Sequence, residues 1–558
     1  MKWPHLRNAL HEEQLFLVIA VVIGVYAGLS VVGFRVAIEW FRLRALGSSL
    51  TPTFPRVVLV PAATGLVVAL LSVRWFPAVR GSGVNQTKAA LYVYDGFISF
   101  RTVVGKFITS ALAIGSGQSL GPEDPSLQIG AGLASALGRR LKLSRDRLRY
   151  IAPVGAAAGL AAAFNSPITA VLFVIEEVIG RWSAGVLGAV VLAAVSSVVT
   201  EQWFLGDQPL FRVPPYHLAH TSELLAYAAL GLIGGGLSLV FVKLVAFLRP
   251  RLRLLPMWTW YLQPAVAGLL IGVVALKFPQ VLGAGYESID LAMHDQYAWQ
   301  ILIALCLIKL LATTTSFVSG TPGGLFAPTL FIGAMLGGAV CAVERLIAPG
   351  LTGPIGAYAL VGMGTMFAGI LRAPMTSVFM VVEVSGNYSI ILPVMISNTI
   401  AYFVSRQFQH AGLFDLLARQ DGTDLPSMEE EREVEMRSVE DAMRDPEAIT
   451  LSGDETIDRG LARANQVESE YFLASLGPAT WGAVSRAELT GWQTDGQGGD
   501  PLSAHITPID RPYLYPDHSM EYALRTLREH PVVPVVHRAD PTRLVGLLAL
   551  DDVIQSMR

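Results

Sequence analysis

Apolar residues in this chain run in long blocks rather than in alternation. They lie at about 13–45, 55–77, 100–118, 125–138, 148–164, 166–180 and 184–204, and again at about 223–248, 258–277, 299–316, 326–347, 355–371, 373–384 and 389–407. Each block reads as a helix, and none shows the two-residue alternation of a barrel strand. Several are shorter than the roughly 20 residues that a helix needs to cross about 30 Å of hydrocarbon. Helices that stop part-way are tolerated only where their ends are buried in protein or line a wet cavity. The pattern therefore predicts an all-α polytopic membrane domain with short and broken helices.

The blocks are duplicated. Gly81-Ser82-Gly83 is matched by Gly283-Ala284-Gly285, and the run Pro125 to Ala131 by Pro328 to Ala334. Val154-Gly155 pairs with Val361-Gly362, and Pro167-Ile168-Thr169 with Pro374-Met375-Thr376. Beyond each of those prolines, at the same spacing, stands an acid, Glu176 in the first half and Glu383 in the second. Paired hydrophobic segments interrupted by Gly and Pro point to a transporter site at the interface of two repeats.

Polar stretches divide the chain. Residues 1–12 carry Lys2 and Arg7, and Arg139 to Arg147 is a cationic loop, so both read as cytoplasmic. The first apolar run, Leu15 to Val32, continues past any small-residue cleavage site, so no cleavable signal peptide is expected. A proline-bearing connector near 205–222 separates repeats at about 13–204 and 223–410 of a membrane domain spanning 1–420. Residues 421–436 hold the charged run Met428 to Glu433 and read as a linker. Residues 437–558 change to a soluble composition and show two similar units. One opens at Ser438 and ends near Leu489; the other runs from about Pro501 to Val553.

Composition adds little that the pattern lacks. Of 558 residues, 52% are hydrophobic and 15% charged, well below the roughly 25% charged of a soluble domain. The net charge of −3 gives no reason to expect nucleic acid. Cys306 and Cys341 lie in apolar runs and read as small hydrophobes, not as a disulfide or metal pair. No metal site and no paired nucleophile and base stand out, so an intramembrane enzyme or a receptor has no support in the residues.

The chemistry lies at helix starts. Gly81-Ser82-Gly83, Gly121-Pro122-Glu123 and Gly323-Gly324-Leu325-Phe326-Ala327-Pro328 each expose backbone N–H groups where a helix dipole is positive. Such starts hold an anion without a fixed cation, which suits a site that must also release. Glu123 and Asp124 put two acids at one of them.

On these motifs, with Gly386-Asn387-Tyr388, the sequence resembles the CLC family of chloride channels and anion/proton antiporters over essentially its whole length, and the tail resembles a CBS domain pair. The resemblance implies two inverted repeats followed by an α/β tail. It implies that Ser82 and Tyr388 give hydroxyls, and Leu325 and Phe326 amides, to a bound chloride. It makes Glu123 the gating proton acceptor and Glu177 the internal proton-transfer residue. The implied function is chloride/proton antiport without a required cofactor; the alternative is a passive chloride channel gated by Glu123. It further implies a homodimer in the cell (inner) membrane with cytoplasmic N- and C-termini. Family CBS pairs can bind an adenine nucleotide, and Glu488 and Asp552 take the places of its ribose-holding acids, although Ala549 replaces the usual hydroxyl residue. Packing is the simpler role for the tail.

Three positions depart from the family pattern. Pro122 and Asp124 replace the arginine and glycine that flank the gating glutamate, and Asn85 replaces a proline. The first loses a cation that attracts anions; the second puts another acid near the mouth. Plainer roles also exist. Ser82 reads equally as a helix cap, Tyr388 as an interfacial anchor and Glu177 as a helix end at the surface. Glu383 reads as structural, and Lys106 and Lys309 as snorkelling or paired.

Overall fold

A computed structural model describes residues 12–47, 53–180, 184–207, 209–211, 223–347, 352–423, 425–426, 438–445, 450–467, 469–477, 480–509, 513–528, 530 and 532–556. The N-terminal Lys2 and Arg7, most of the 205–222 connector and the run Met428 to Glu433 lie outside the described residues. The chain forms two units, Met1–Leu425 and Pro426–Arg558, so the division falls within the stretch read as a linker.

In the first unit the helices pair off between the halves. Helix α1 (Glu12–Ala45) has its counterpart in α9 (Glu223–Arg253), and α2 (Arg56–Leu70) in α10 (Gln263–Ala275). Next come α3 (Gly83–Tyr92) with α11 (Tyr286–Met293), and α4 (Phe100–Gly115) with α12 (Trp299–Val318). Then follow α5 (Glu123–Arg140) with α13 (Phe326–Ile347) and α6 (Arg145–Phe164) with α14 (Ile355–Leu371). The last pairs are α7 (Pro167–Phe173) with α15 (Pro374–Ser385), and α8 (Ala184–Leu205) with α16 (Ile391–Phe408). A short amphipathic helix, α17 (Leu413–Gln420), closes the unit. Among the described residues, seven helical stretches are long and apolar enough to cross a membrane.

Small residues set the packing. Gly130 on α5 faces Gly155 and Gly159 on α6, and Gly333 on α13 faces Gly362 on α14; a methyl added at Gly155 or Gly362 would collide with the facing carbonyl. Without a hydrophobic drive between helices in lipid, such close backbone approach is how they gain dispersion contact. Gly121 and Gly324 join the halves directly, each donating its N–H to the other's carbonyl at 2.8 Å. Ahead of α3 and α11, Gly81 and Gly283 take positive φ (92° and 59°), which lets each chain turn sharply into a helix start.

Lys106 and Lys309 do not snorkel. Both are fully buried, and each ammonium holds the turn before a Gly-x-Gly start. Lys106 Nζ donates to the carbonyls of Val79 (3.2 Å) and Gly81 (3.1 Å), and Lys309 Nζ to those of Val281 (3.0 Å) and Gly283 (2.7 Å).

The second unit is α/β. Strand β1 (Thr450–Ser452) runs parallel to β2 (Tyr471–Gly477), which pairs antiparallel with β3 (Thr480–Ser485). Strand β4 (Val532–His537) pairs antiparallel with β5 (Asp540–Ala549) and meets Leu514 in parallel, repeating the same plan. The opening segments are exchanged relative to the sequence reading. Ser438 to Arg444 joins the second half, through Val439 N to His518 O (2.9 Å) and Arg444 N to Leu547 O (2.8 Å). Leu502 and Ser503 bond back to Glu455 (2.9 Å) and Gly453 (2.8 Å) in the first half. The apolar cores explain the exchange: Val439 packs with Leu514 and Met520, and Leu502 with Ile457 and Phe472.

Candidate functional site

Three helix starts converge, those of α3, α5 and α13. Glu123, fully buried at the first turn of α5, reaches α13. Its Oε2 accepts from Ala327 N (3.3 Å), and its Oε1 accepts from the hydroxyl of Tyr286. Both partners are donors, as an ionised carboxylate requires. Leu325 and Phe326, also buried, precede Ala327 on the same turn, and no acceptor takes their amides among the described residues, as is usual for first-turn amides.

The next residue turns the other way. Asp124 Oδ2 accepts from Gly83 N (2.9 Å), and Oδ1 from Ser82 Oγ (3.1 Å) and Val84 N (3.2 Å). Lys106 Nζ lies 3.8 Å from Oδ2. Ser82 also caps α3 by accepting from Val84 N (3.1 Å), so the plain and the functional reading of this serine coexist. Asp124 is thus not at the mouth but beneath it, at the start of α3.

Tyr388 is not among these groups. It opens a turn ahead of α16 and is 70% exposed. A ring that does reach Phe326 from the end of the unit is that of Phe414, on α17. Its centroid lies 6.1 Å from that of Phe326 and 6.4 Å from that of Phe173, and its carbonyl accepts from Asn85 Nδ2 (2.8 Å). Tyr388 stays outside because the chain must still run through α16 before it returns to the site at α17. Phe414 brings no hydroxyl.

Glu177 sits in a π-helical turn, Val174–Ile179, that continues α7. Lys88 Nζ on α3 lies 3.7 Å from its carboxylate and 3.4 Å from that of Asp415 on α17. Glu176, its neighbour, points instead to the start of α15, accepting from Thr376 N (2.9 Å) and Thr376 Oγ1 (2.7 Å).

A funnel of about 660 Å³ reaches Pro122 and Tyr286, with Arg35 and Arg42 in its wall. These two supply cations that position 122 lacks, each partly offset by an acid: Arg35 pairs with Glu201 (2.8 Å) and Arg42 with Glu39 (2.7 Å).

In the tail, Glu488 Oε2 accepts from Ser485 N (2.7 Å) and Ser485 Oγ (2.8 Å), closing a capping box. Asp552 accepts from Ala549 N (3.0 Å) and Arg444 Nε (2.5 Å). Both acids serve their own unit.

Sequence reasoning missed Tyr286, Lys88 and Phe414. Tyr286 follows the second Gly-x-Gly, so the duplication marked its position; nothing in the residues alone marked the other two.

The model of the voltage gated chloride channel family matches residues 64–406. A relative from Ralstonia nicotianae, named ClcB-like and placed by its name among chloride channel proteins, is 31% identical over 69% of this chain and 92% of its own. The H(+)/Cl(−) exchange transporter ClcA of Vibrio campbellii is 30% identical over 70% of this chain and 86% of its own. The crystal structure of a slow cyanobacterial Cl−/H+ antiporter superposes with a TM-score of 0.67 at 25% identity, covering 74% of this chain and 98% of that one. A eukaryotic CLC transporter shares the fold over 96% of this chain and 97% of its own (TM-score 0.64, 22% identity). A buried carboxylate seated on a helix start, at the junction of two repeats, is thus found in a chain that belongs to the voltage-gated chloride channel (CLC) family, a multi-pass membrane protein.

Proposed function

We propose that this protein exchanges chloride for protons across the membrane. The observation that carries the reading is the seat of Glu123: a buried carboxylate on the Ala327 amide, beside the open amides of Leu325 and Phe326. A carboxylate there is a tethered anion. Protonated, it loses its claim on those donors and a free anion takes them, so proton and anion occupancy are linked. The names of the ClcA relatives and of the antiporter structures support the same exchange. Glu177 is the proton station at the far end, and Ser82 belongs to the anion path through its hydroxyl. The proton and the anion ride on the chain's own groups, so no cofactor is invoked.

The second reading, a passive channel, is favoured by one contact. Glu177 is tied to Lys88, and a carboxylate paired to a cation is a structural ion pair rather than a station for a travelling proton. Reversal potentials in chloride-loaded liposomes decide between them. In the wild type an opposing pH gradient shifts the potential, and in Glu123→Gln anions still move but the shift is lost. A potential that follows chloride alone in the wild type rejects exchange.

We also propose a homodimer in the cell membrane with the Arg139 to Arg147 loop and both termini cytoplasmic, on the charge of that loop and the family resemblance. An adenine nucleotide in the tail would have to share Glu488 and Asp552 with their caps; calorimetry with AMP and ATP tests it, and absence of heat rejects it.

A further inference from the structure

Because the repeats are inverted, each residue in the wall of the Pro122 funnel has a counterpart toward the opposite face of the membrane. Leu282, in that wall, directly precedes the second Gly-x-Gly, and Arg80 directly precedes the first. Leu282 packs on Gly117, past the end of α4. Arg80 packs on Gly320, past the end of α12, where an added Cβ would collide with the guanidinium. Arg42 and Leu46, also in the funnel wall, follow the glycines Gly24 and Gly28 by which α1 packs on α8. At the same spacing after Gly231 and Gly235, by which α9 packs on α16, stand Arg249 and Arg253. Arg42, Leu46 and Leu282 on one face thus answer to Arg249, Arg253 and Arg80 on the other. We propose that these three arginines wall a second mouth of the anion path, and that Arg80 is the residue that draws chloride into it. The inference rests on the anion-transport reading and adds to it an entry for the ion on the side away from the funnel.

The cluster holds cations and donors in excess. Asp421 accepts from Arg249 Nη2, at 2.9 and 3.1 Å, and from Arg253 as well, so one carboxylate serves both. Among the described residues no acid pairs with Arg80. Its guanidinium lies instead over the ring of Trp260, 4.8 Å from the centroid, in the short turn Met257–Tyr261. A ring on one face leaves the N–H groups of a guanidinium, which lie in its plane, open to an anion. Trp260 Nε1 is itself buried without an acceptor among the described residues, so what the cluster lacks is an acceptor. The turn does not need the charge, since leucine fills the matching place before α11.

The wall is also close to the site. A Cβ on Gly81, between Arg80 and Ser82, would stand 3.6 Å from Arg249 Nη2. Cations gathered at a mouth raise the local concentration of anions, over a reach of about 8 Å at physiological salt. Arg80 stands before the α3 start rather than within it, so it speeds entry without holding the ion in the path.

The test is chloride transport by the full chain in right-side-out and everted vesicles from the same cells, which present opposite faces to added chloride. Arg80→Leu puts at this mouth the residue that its counterpart already has. It should raise the KM for chloride about two- to three-fold on one face only, as expected for one charge acting through a screened entry, with the maximal rate kept. Arg42→Leu should raise it on the other face. Arg80→Lys, which keeps the charge, should stay near the wild-type KM. If Arg80→Leu does not accumulate as folded protein, Arg80→Gln, which keeps donors but no charge, must show the same rise. Screening with sodium gluconate should shrink the difference between the wild type and the neutral variant. The proposal is overturned by an unchanged KM in the neutral variants, by a rise on both faces or on the face that Arg42→Leu affects, or by an equal rise in Arg80→Lys. The antiport reading is judged separately: a wild type that moves chloride without protons sinks exchange and leaves Arg80's role standing, and one that moves no chloride overturns both.

Discussion

At the scale of single residues, the chain uses consecutive acids that part company. Glu123 and Asp124 go to α13 and α3; Glu176 and Glu177 go to α15 and Lys88. Each pair separates because successive side chains of a helical turn point about a quarter-turn apart; the second pair lies on a π-helical turn, a form frequent at functional sites. Tyr286 decides how firmly Glu123 is held. A hydrogen bond to a charged group contributes about 1.5–3 kcal/mol net. Tyr286→Phe should therefore weaken the seat of ionised Glu123 and tighten chloride binding by about ten-fold or more, with packing kept because only the hydroxyl is lost. Chloride titration of the variant checks this; an unchanged affinity would show that the tyrosine does not hold the gate. That the helix starts at Ser82, Glu123, Leu325 and Phe326 bring donors together was legible from their Gly-rich motifs, since backbone amides are supplied by any sequence; the individual roles came only from the resemblance. The duplication marked the position of Tyr286 but not its partner, because the two copies have diverged: the first Gly-x-Gly starts a helix that meets Asp124, the second one that meets Glu123. Tyr388 misled because a Gly-Asn-Tyr turn has the right residues for a site and the wrong place in the chain.

At the scale of elements, the duplication explains the acids that follow Pro167 and Pro374. Each caps the other repeat's helix. Glu176 accepts from the start of α15, and Glu383, on α15, accepts from Ile168 N (2.9 Å), Thr169 N (2.7 Å) and Thr169 Oγ1 (2.5 Å) at the start of α7. Proline opens both helices, where its missing N–H costs nothing, and the following donors take the carboxylate. The sequence displayed the acids and their spacing, but a spacing along one chain does not say which helix start is met. That takes the two-fold relation between the halves. Either Glu176→Gln or Glu383→Gln should cost about 1–3 kcal/mol, because an amide replaces charge-assisted bonds with weaker ones and must turn an NH2 group toward donors. Thermal unfolding in detergent, followed by tryptophan fluorescence, should show a lower midpoint for each. Midpoints equal to the wild type would mean that the caps are not what fastens α7 to α15. The long helices were legible from hydropathy; α3, α11 and α17 were not, since each is short and mixes polar with apolar residues in too few turns to register as a block.

At the scale of the whole molecule, the question is how little of the chain makes the site. Every group described at the convergence of α3, α5 and α13 lies before Leu425, within the first unit. The last contribution comes from α17, which lies past the last apolar block but inside the stretch 1–420 read as the membrane domain. It brings Phe414 against Phe326 and Asp415 to Lys88, and its end is tied to α9 by Arg249, whose Nη2 meets Asp421 at 2.9 Å. Arg249 is almost wholly buried, so removing Asp421 would leave a buried cation without its anion, a change that costs several kcal/mol. Two truncations separate these contributions. A chain ended after Leu425 keeps α17, its ion pair and every donor of the cradles, and should exchange chloride for protons in liposomes with the wild-type stoichiometry. A chain ended after Gln409 loses the Phe414 packing, frees Lys88 from one of its two carboxylates and strands Arg249; it should bind chloride weakly or fail to accumulate as folded protein. If the longer truncation runs as a single species on size exclusion yet no longer couples protons to chloride, the soluble unit takes part in transport itself, and the site is larger than the three helix starts.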